Sequence, residues 1–322
     1  MLEFQFLKAI KKHYTNVNFD LVVFATPPIT FTNVVQYLKQ KRGSKAYLIL
    51  KDIFPQNAVD LGIIKKNGLF YKLFRKKEKK LYKTADYIGC MSPANVAYII
   101  KHNPQLNPQI IEVNPNSIEP ISNYISEQVR IAIRVKYSIP QTALLFIYGG
   151  NLGKPQGIDF LLEVIDSNKN KKDVYFLIFG SGTEYNKIQK FLNVVKPDNA
   201  KLYKSLPKNE YDNIVQASDV GLILLDKRFT IPNYPSRLLT YMEYKKPVLV
   251  ATDSATDIGN IAEENGYGFK CLHGDISSFN KHIKTFVENR EIIKTMGQKG
   301  YNYLMNNYTV KKSYDIIMNH FK

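Results

Sequence analysis

Ten short apolar runs spaced along the chain constrain its fold more than any other feature. They are DLVVFA (20–25), AYLIL (46–50), YIGCM (87–91), IIEV (110–113), ALLFIYG (143–149), VYFLIFG (174–180), AKLYK (200–204), VGLILL (220–225), PVLVA (247–251) and GFKCL (268–272). Segments of helical apolar period separate almost all of them. A strand that is apolar on both faces has to be covered on both, and a parallel sheet flanked by helices does this. The expected fold class is therefore α/β. The 322 residues have room for two such domains. The boundary is expected near 120–142, after the proline- and asparagine-rich stretches HNPQLNPQ (102–109) and NPNSIEPISN (114–123). The second half carries about six strands, a full doubly wound set. The first half carries four, preceded by an amphipathic helix over 2–14. The N-terminal domain is thus expected to be small or to lack its first strands.

Other classes are excluded by what the chain lacks. No apolar run is long enough to span a bilayer as a helix. The start, MLEFQFLKAIKKHY, has neither a basic leader nor a cleavage site, so no secretion signal is expected. Cys90 and Cys271 lie in apolar runs and read as small buried residues of a reducing compartment. No cysteines or histidines stand at metal-ligand spacing, and neither a metal nor another cofactor is expected. His102, His273, His282 and His320 read as surface residues. Net charge is +17, concentrated in KKNGLFYKLFRKKEKKLYK (65–83), where nine Lys or Arg face one Glu. Such a segment attracts an anionic partner. A nucleic acid is not expected, because no helix-turn-helix, zinc or single-strand-binding pattern accompanies the charge.

In open parallel sheets ligands bind where strand ends meet helix starts, so the glycine-rich turns there are the candidate sites. YGGNLGKPQG (148–157) follows one strand and precedes the helical pattern IDFLLEVI. Its glycines would let backbone N–H groups approach an anion, and Lys154 would add a charge. On spacing alone, a turn that only reverses the chain fits equally well. FGSGTEYNKI (179–188) gives a second turn, in which Gly180 and Gly182 make room for a ligand or simply turn the chain, with Thr183 as helix cap. In IPNYPSRLLTYMEYKKPVLVA (231–251), Pro235 and Ser236 read as a helix start, which puts Arg237 in the first turn. A cation there opposes the helix dipole unless an anion is bound. Ser236 and Arg237 thus form a candidate diphosphate cradle, and an exposed surface Arg is the alternative. Tyr241 and Met242 read as core. Asp52, ending YLILKD, contacts an acceptor or sugar or else caps a loop. Asp219 and Asp226 bracket a strand without forming a metal-binding pair.

With these stretches in view, YGGNLGKPQGIDFLL, SLPKNEYDNIVQASDVGLILL and IPNYPSRLLTYMEYKKPVLVA resemble, in order and spacing, the C-terminal half of a family 4 glycosyltransferase of GT-B fold. The subgroup transferring amino sugars of the N-acetyl-fucosamine type in O-antigen or capsule synthesis is the most similar. DLVVFATPPITF, LKDIFPQNAVDLG and LYKTADYIGCMSP extend the resemblance over nearly the whole chain. It implies two Rossmann-like domains, the first shortened at its start: 1–125 on the acceptor side, 126–305 binding nucleotide sugar, and a C-terminal helix (306–322) packing back toward the first. It also implies a retaining, metal-independent transfer from a nucleoside-diphosphate sugar, UDP-linked and possibly N-acetylated, to a lipid-linked saccharide.

Carried over residue by residue, Gly149, Gly150, Asn151, Leu152, Gly153, Gln156 and Gly182 face the donor. Leu206 and Pro207 frame the base. Asn233, Tyr234, Pro235, Ser236, Arg237 and Thr240 hold the sugar and phosphates. The catalytic set is Arg237, Lys154 and Asn151, and Thr26, Pro27 and Asp52 lie on the acceptor side. The chain departs from the family at three places. Asn151 and Gln156 stand where many members carry Arg and Lys. Thr240 replaces the second of two glutamates, the first falling near Pro232 or Asn233. The N-terminal glycine loop and its histidine are missing, with Thr26, Pro27 and Pro28 at that strand end. These departures keep a second expectation open: a truncated or split enzyme that binds donor but needs a missing N-terminal segment or a partner chain.

The segment 65–83 is expected to be a helix with Leu69, Phe70, Leu73, Phe74 and Leu81 as an apolar stripe under the lysines. That pattern fits an interfacial helix on anionic lipid at the cytoplasmic face of the cell membrane, or else a solvated helix packed on its own domain.

Overall fold

The structure, a computed structural model, describes residues 2–121 and 123–321. All ten apolar runs are strands, and the chain forms two compact units. The first unit runs to Asn116 and takes in Phe229–Tyr234 and the chain from Ser313. The second comprises Ser117–Arg228 and Pro235–Lys312.

In the first unit β1 (Leu21–Thr26), β2 (Lys45–Leu50), β3 (Tyr87–Cys90) and β4 (Ile111–Val113) form one parallel sheet in sequence order. Helices Thr32–Arg42, Leu69–Thr84 and Pro93–His102 lie between successive strands. The last begins as its sequence dictates, with Pro93 in the first turn and Ser92 Oγ accepting from the Asn95 amide. β2 is buried through Ala46, Tyr47, Leu48 and Leu50, whereas β1 lies at the sheet edge with Val23 exposed. The strand order never reverses, so this sheet contains no switch point of the kind at which doubly wound sheets bind ligands. His320 is not a surface residue. Its ring stacks on Tyr87 at 3.7 Å and Nε2 meets Glu112 at 2.9 Å.

The basic helix starts at Leu69 rather than Lys65, because Asn67 adopts a left-handed φ of 63° and the Gly68 amide closes a turn onto Lys65 O. Phe229–Tyr234 is held within this unit by Asn95 Nδ2 donating to Pro232 O (2.9 Å) and by the Thr230 amide donating to Asp60 (2.8 Å). Ile231 is fully buried there.

In the second unit β5 (Leu144–Asn151), β6 (Val174–Ser181), β7 (Ala200–Tyr203), β8 (Val220–Leu224), β9 (Val248–Thr252) and β10 (Gly268–Leu272) form a parallel sheet ordered β10-β9-β8-β5-β6-β7. The chain winds outward from β5 to β7, returns to β8 and winds the other way. The switch point therefore lies between the C-terminal ends of β5 and β8. The core under it is aromatic and aliphatic. Phe160 packs edge-on to Phe279 (5.5 Å), and Phe146 packs against Phe176 (5.6 Å). Burying each such side chain contributes about 1.5–3 kcal/mol.

At the other end of this sheet a buried polar knot ties strands to helices. Arg134 is fully buried and donates to Pro140 O (2.8 Å) and Asp219 Oδ2 (3.3 Å). Asp219 also accepts from the Leu145 amide (2.7 Å) and from Arg130 (3.2 Å). Lys246 Nζ donates to Gln216 O and Ser218 O, both at 2.7 Å, at the end of helix Lys208–Ala217. A cation is well placed at that helix end.

Candidate functional site

The switch point brings Gly149, Gly150 and Asn151, the last residues of β5, together with Arg237, the first residue of helix Arg237–Glu243. Gly149 is buried, and a methyl group on it would overlap the Tyr211 phenol. Gly150 has φ 122°, where side chains are rare, and a Cβ there would lie 3.7 Å from Arg237 Nη2. The opening between glycine backbone and guanidinium thus exists because no side chain fills it.

Among the described residues, Arg237 is held without any carboxylate. Nη2 donates to Gln156 Oε1 at 2.6 Å, and the guanidinium carbon lies 4.5 Å from the centre of the Tyr148 ring. Nη1 is buried, and among the described residues no acceptor meets it in hydrogen-bond geometry. The Tyr148 hydroxyl donates to Gln156 Oε1 and Asn151 O, both at 3.2 Å, which fixes the amide that fixes the arginine. Tyr241, one helical turn after Arg237, donates to Ile147 O at 3.2 Å. Burial pushes Tyr148 up, Tyr211 well up and Tyr241 to about 12, so all three phenols stay neutral at physiological pH. Burial works against the charge of Arg237, and the oxygens of the neighbouring phenols Tyr148 and Tyr241 favour it, so the guanidinium stays charged. A half-buried, permanently charged fork with no acid beside it among the described residues is a candidate anion-binding group.

The remaining expected residues fall at several places. Gly153 is buried and its carbonyl accepts from Gln156 N (3.0 Å). Leu152 serves the core: its side chain is fully buried and its amide donates to Ser181 O at 2.9 Å. Gly182 lies against it, because a Cβ there would sit 2.5 Å from Leu152 O. Lys154 is exposed and lines a different pocket, shared with Asp226, Arg228 and His273. His273, expected at the surface, is half-buried and its Nδ1 meets Leu225 O at 2.7 Å. Leu206 is half-buried and Pro207 exposed just ahead of helix Lys208–Ala217. Pro235 O accepts from the Leu238 amide (3.2 Å). Ser236 occupies the N-cap position as expected, but its hydroxyl caps nothing. Thr240 is half-buried on the same helix.

Asn233 and Tyr234 belong to the first unit, as do Thr26, Pro27 and Asp52. There Thr26 Oγ1 donates to Asp52 O (3.2 Å) and accepts from the Lys51 amide (3.2 Å), while Pro27 and Asp52 are exposed. Sequence reasoning missed the tyrosines around Arg237. Tyr148 opens the glycine turn itself, and Tyr241 stands four residues after Arg237, the spacing that places both on one helical face.

Gly149→Ala is expected to cost about 1–3 kcal/mol through overpacking against Tyr211. Urea denaturation reads the loss. Gly149→Ala combined with Tyr211→Ala should cost measurably less than the two single changes added together.

Comparison with known proteins bears on the family and the fold. The chain is 27% identical over 263 residues to the probable glycosyltransferase WbjE of Pseudomonas aeruginosa, covering 80% of this chain but only 63% of that protein. Among solved structures it superposes on WaaG, a glycosyltransferase involved in lipopolysaccharide biosynthesis, with TM-score 0.68 and 14% identity, covering 89% of this chain and 80% of that one. HepE of Anabaena, solved with UDP and glucose, gives TM-score 0.77 at 13% identity, covering 99% and 81%. These neighbours share the fold: two parallel α/β sheets of GT-B type. The family model for glycosyl transferases group 1 matches residues 129–303, more than half of the chain and all six strands of the second sheet, so the chain belongs to the group 1 glycosyl transferases.

Proposed function

We propose that the protein is a retaining glycosyltransferase that needs no metal and moves a sugar from a UDP-linked donor, an N-acetylated amino sugar in the reading favoured here, to a lipid-linked saccharide in surface polysaccharide synthesis. The carrying observation is the half-buried Arg237 guanidinium, without a carboxylate partner among the described residues, opposite Gly150 at the switch point. As the donor bond breaks, negative charge develops on the departing diphosphate. A fixed cation in a partly dry site stabilises that charge without reorganising. Arg237 meets the phosphate oxygens through the accessible edge of its guanidinium, and Gln156 and Tyr148 hold its plane. The glycines keep the approach to the β5 backbone open, and Asn151, exposed at the strand end, adds an amide at the rim. The donor phosphate then takes the proton of the attacking acceptor hydroxyl. HepE with UDP and glucose supports the choice of UDP, and WaaG in lipopolysaccharide biosynthesis supports the acceptor class.

The acceptor reading assigns the basic helix to a lipid surface. Leu69, Phe70 and Leu73 are exposed beside Lys72 and Lys76, whereas Leu81 is fully buried and Phe74 packs on Phe54 at 5.1 Å. The membrane-facing stripe is thus shorter than the sequence pattern suggests, and lies at the N-terminal half of the helix. Among the described residues no helix is long and apolar enough to cross a membrane. Lys72→Gln with Lys76→Gln is expected to weaken binding to phosphatidylglycerol vesicles by about 2 kcal/mol, at about 1 kcal/mol per lysine. Vesicle co-sedimentation measures it, and unchanged binding would remove this helix from the membrane reading.

The function itself is tested by calorimetric titration with UDP in the presence of a chelator, followed by transfer assays with lipid-linked acceptors. Saturable binding with no metal present supports the donor assignment. A folded protein that ignores UDP refutes it.

A further inference from the structure

At the N-terminal ends of β5, β8 and β9, the opposite end of the sheet from the glycine turn, the second unit holds a cavity of about 360 Å³. Arg130, Lys245, Lys246, Arg290 and Lys294 line it against a single carboxylate, Asp219. We propose that this cavity is a second anion site that binds a phosphate-bearing ligand, distinct from the donor site at Arg237.

The charges do not cancel among themselves. Asp219 is already shared between Arg130, Arg134 and the Leu145 amide. The other acid nearby, Glu127, pairs with Arg130 at 3.0 Å. Among the described residues Lys245 has no carboxylate partner, and its Nζ lies 5.1 Å from the ring centres of both Tyr124 and Tyr301. Lys294 is exposed and makes no hydrogen bond or ion pair among the described residues. Arg290 donates to a carbonyl, Thr142 O, at 2.6 Å. Cations set this close repel one another, and the repulsion is relieved by an ion carrying more than one negative charge. Lys246 registers the field: burial first, then Arg130 and Arg134, press its pKa down to about 8.

A phosphate or diphosphate group fits better than a carboxylate. It offers several strong acceptors around one centre, which suits a guanidinium fork together with ammonium groups arriving from different sides. Two sources share that chemistry: a free diphosphate and the phosphate of an anionic lipid headgroup.

The test titrates the full chain carrying Arg237→Met, which weakens the donor site, with inorganic pyrophosphate and separately with dihexanoyl-phosphatidylglycerol below its micelle concentration. Both titrations are run at low salt. Saturable binding of either probe is expected to weaken about tenfold when Lys245→Gln and Lys294→Gln are added. Lys294→Arg should keep the affinity. Pyrophosphate binding alone identifies a free diphosphate, and lipid binding alone identifies a headgroup. If the double variant does not fold, Lys294→Glu on the exposed helix surface replaces it, with the same expected loss. Equal affinities with and without the substitutions, or no saturable binding of either probe, overturn the proposal.

Discussion

Arg237→Met is expected to lower turnover by roughly 10²–10³-fold, the range seen when one donor to a developing oxyanion is removed. It should weaken UDP binding by about tenfold or more as a charged hydrogen bond is lost. Methionine preserves most of the apolar contact with the Tyr148 ring, so the fold should survive and the loss can be read as chemistry. Arg237→Lys is expected to recover only part of the effect. An ammonium keeps the charge but cannot donate to Gln156 and to a phosphate oxygen through one rigid plane. Gln156→Glu provides a complementary test. It places a carboxylate where the amide now accepts from Nη2, so Arg237 would be neutralised from within and UDP affinity should fall although every cation remains. Wild-type UDP affinity in Arg237→Met would end the donor-site assignment.

The second large effect concerns stability. Asp219→Ala removes the carboxylate that accepts from Arg130, Arg134 and the Leu145 amide together. Arg134 is then a fully buried cation whose remaining partners are the carbonyls of Pro140, Ala143 and Ala217. Breaking a buried pair in this way costs about 3–5 kcal/mol. For a unit of this size that corresponds to a fall in melting temperature of roughly 6–20 °C. Thermal denaturation followed by circular dichroism measures it. A shift of a degree or less would mean that the carbonyls alone hold Arg134.

The strands were legible because two-sided apolar runs have few other uses. All ten fall within two residues of the segments read from the sequence. The position of Arg237 was legible for a different reason: Pro235 and Ser236 mark a helix start, and the structure begins the helix at Arg237. The phenols around it were not. Tyr241 is both core and site wall, and the helical period reports only the first role. Leu152 shows the reverse limit. The family resemblance implied that it faces the donor, but register pairs the end of β5 with β6, its amide is committed to Ser181 and its side chain is buried. His320 and His273 were misread because their partners, Glu112 and Leu225 O, lie 208 and 48 residues away. No local pattern carries that information.

The short segment Phe229–Tyr234 bears on how such chains exchange parts in evolution and in the laboratory. The backbone passes between the two units four times, and this six-residue excursion ends three positions before Arg237. A donor-specificity half cannot then be transplanted at one breakpoint. A chimera joined near residue 117 would carry a foreign strap into a host whose Asn95 and Asp60 are shaped for Pro232 and Thr230. Productive hybrids should be those in which the strap travels with the N-terminal partner and the splice is moved to just before Pro235.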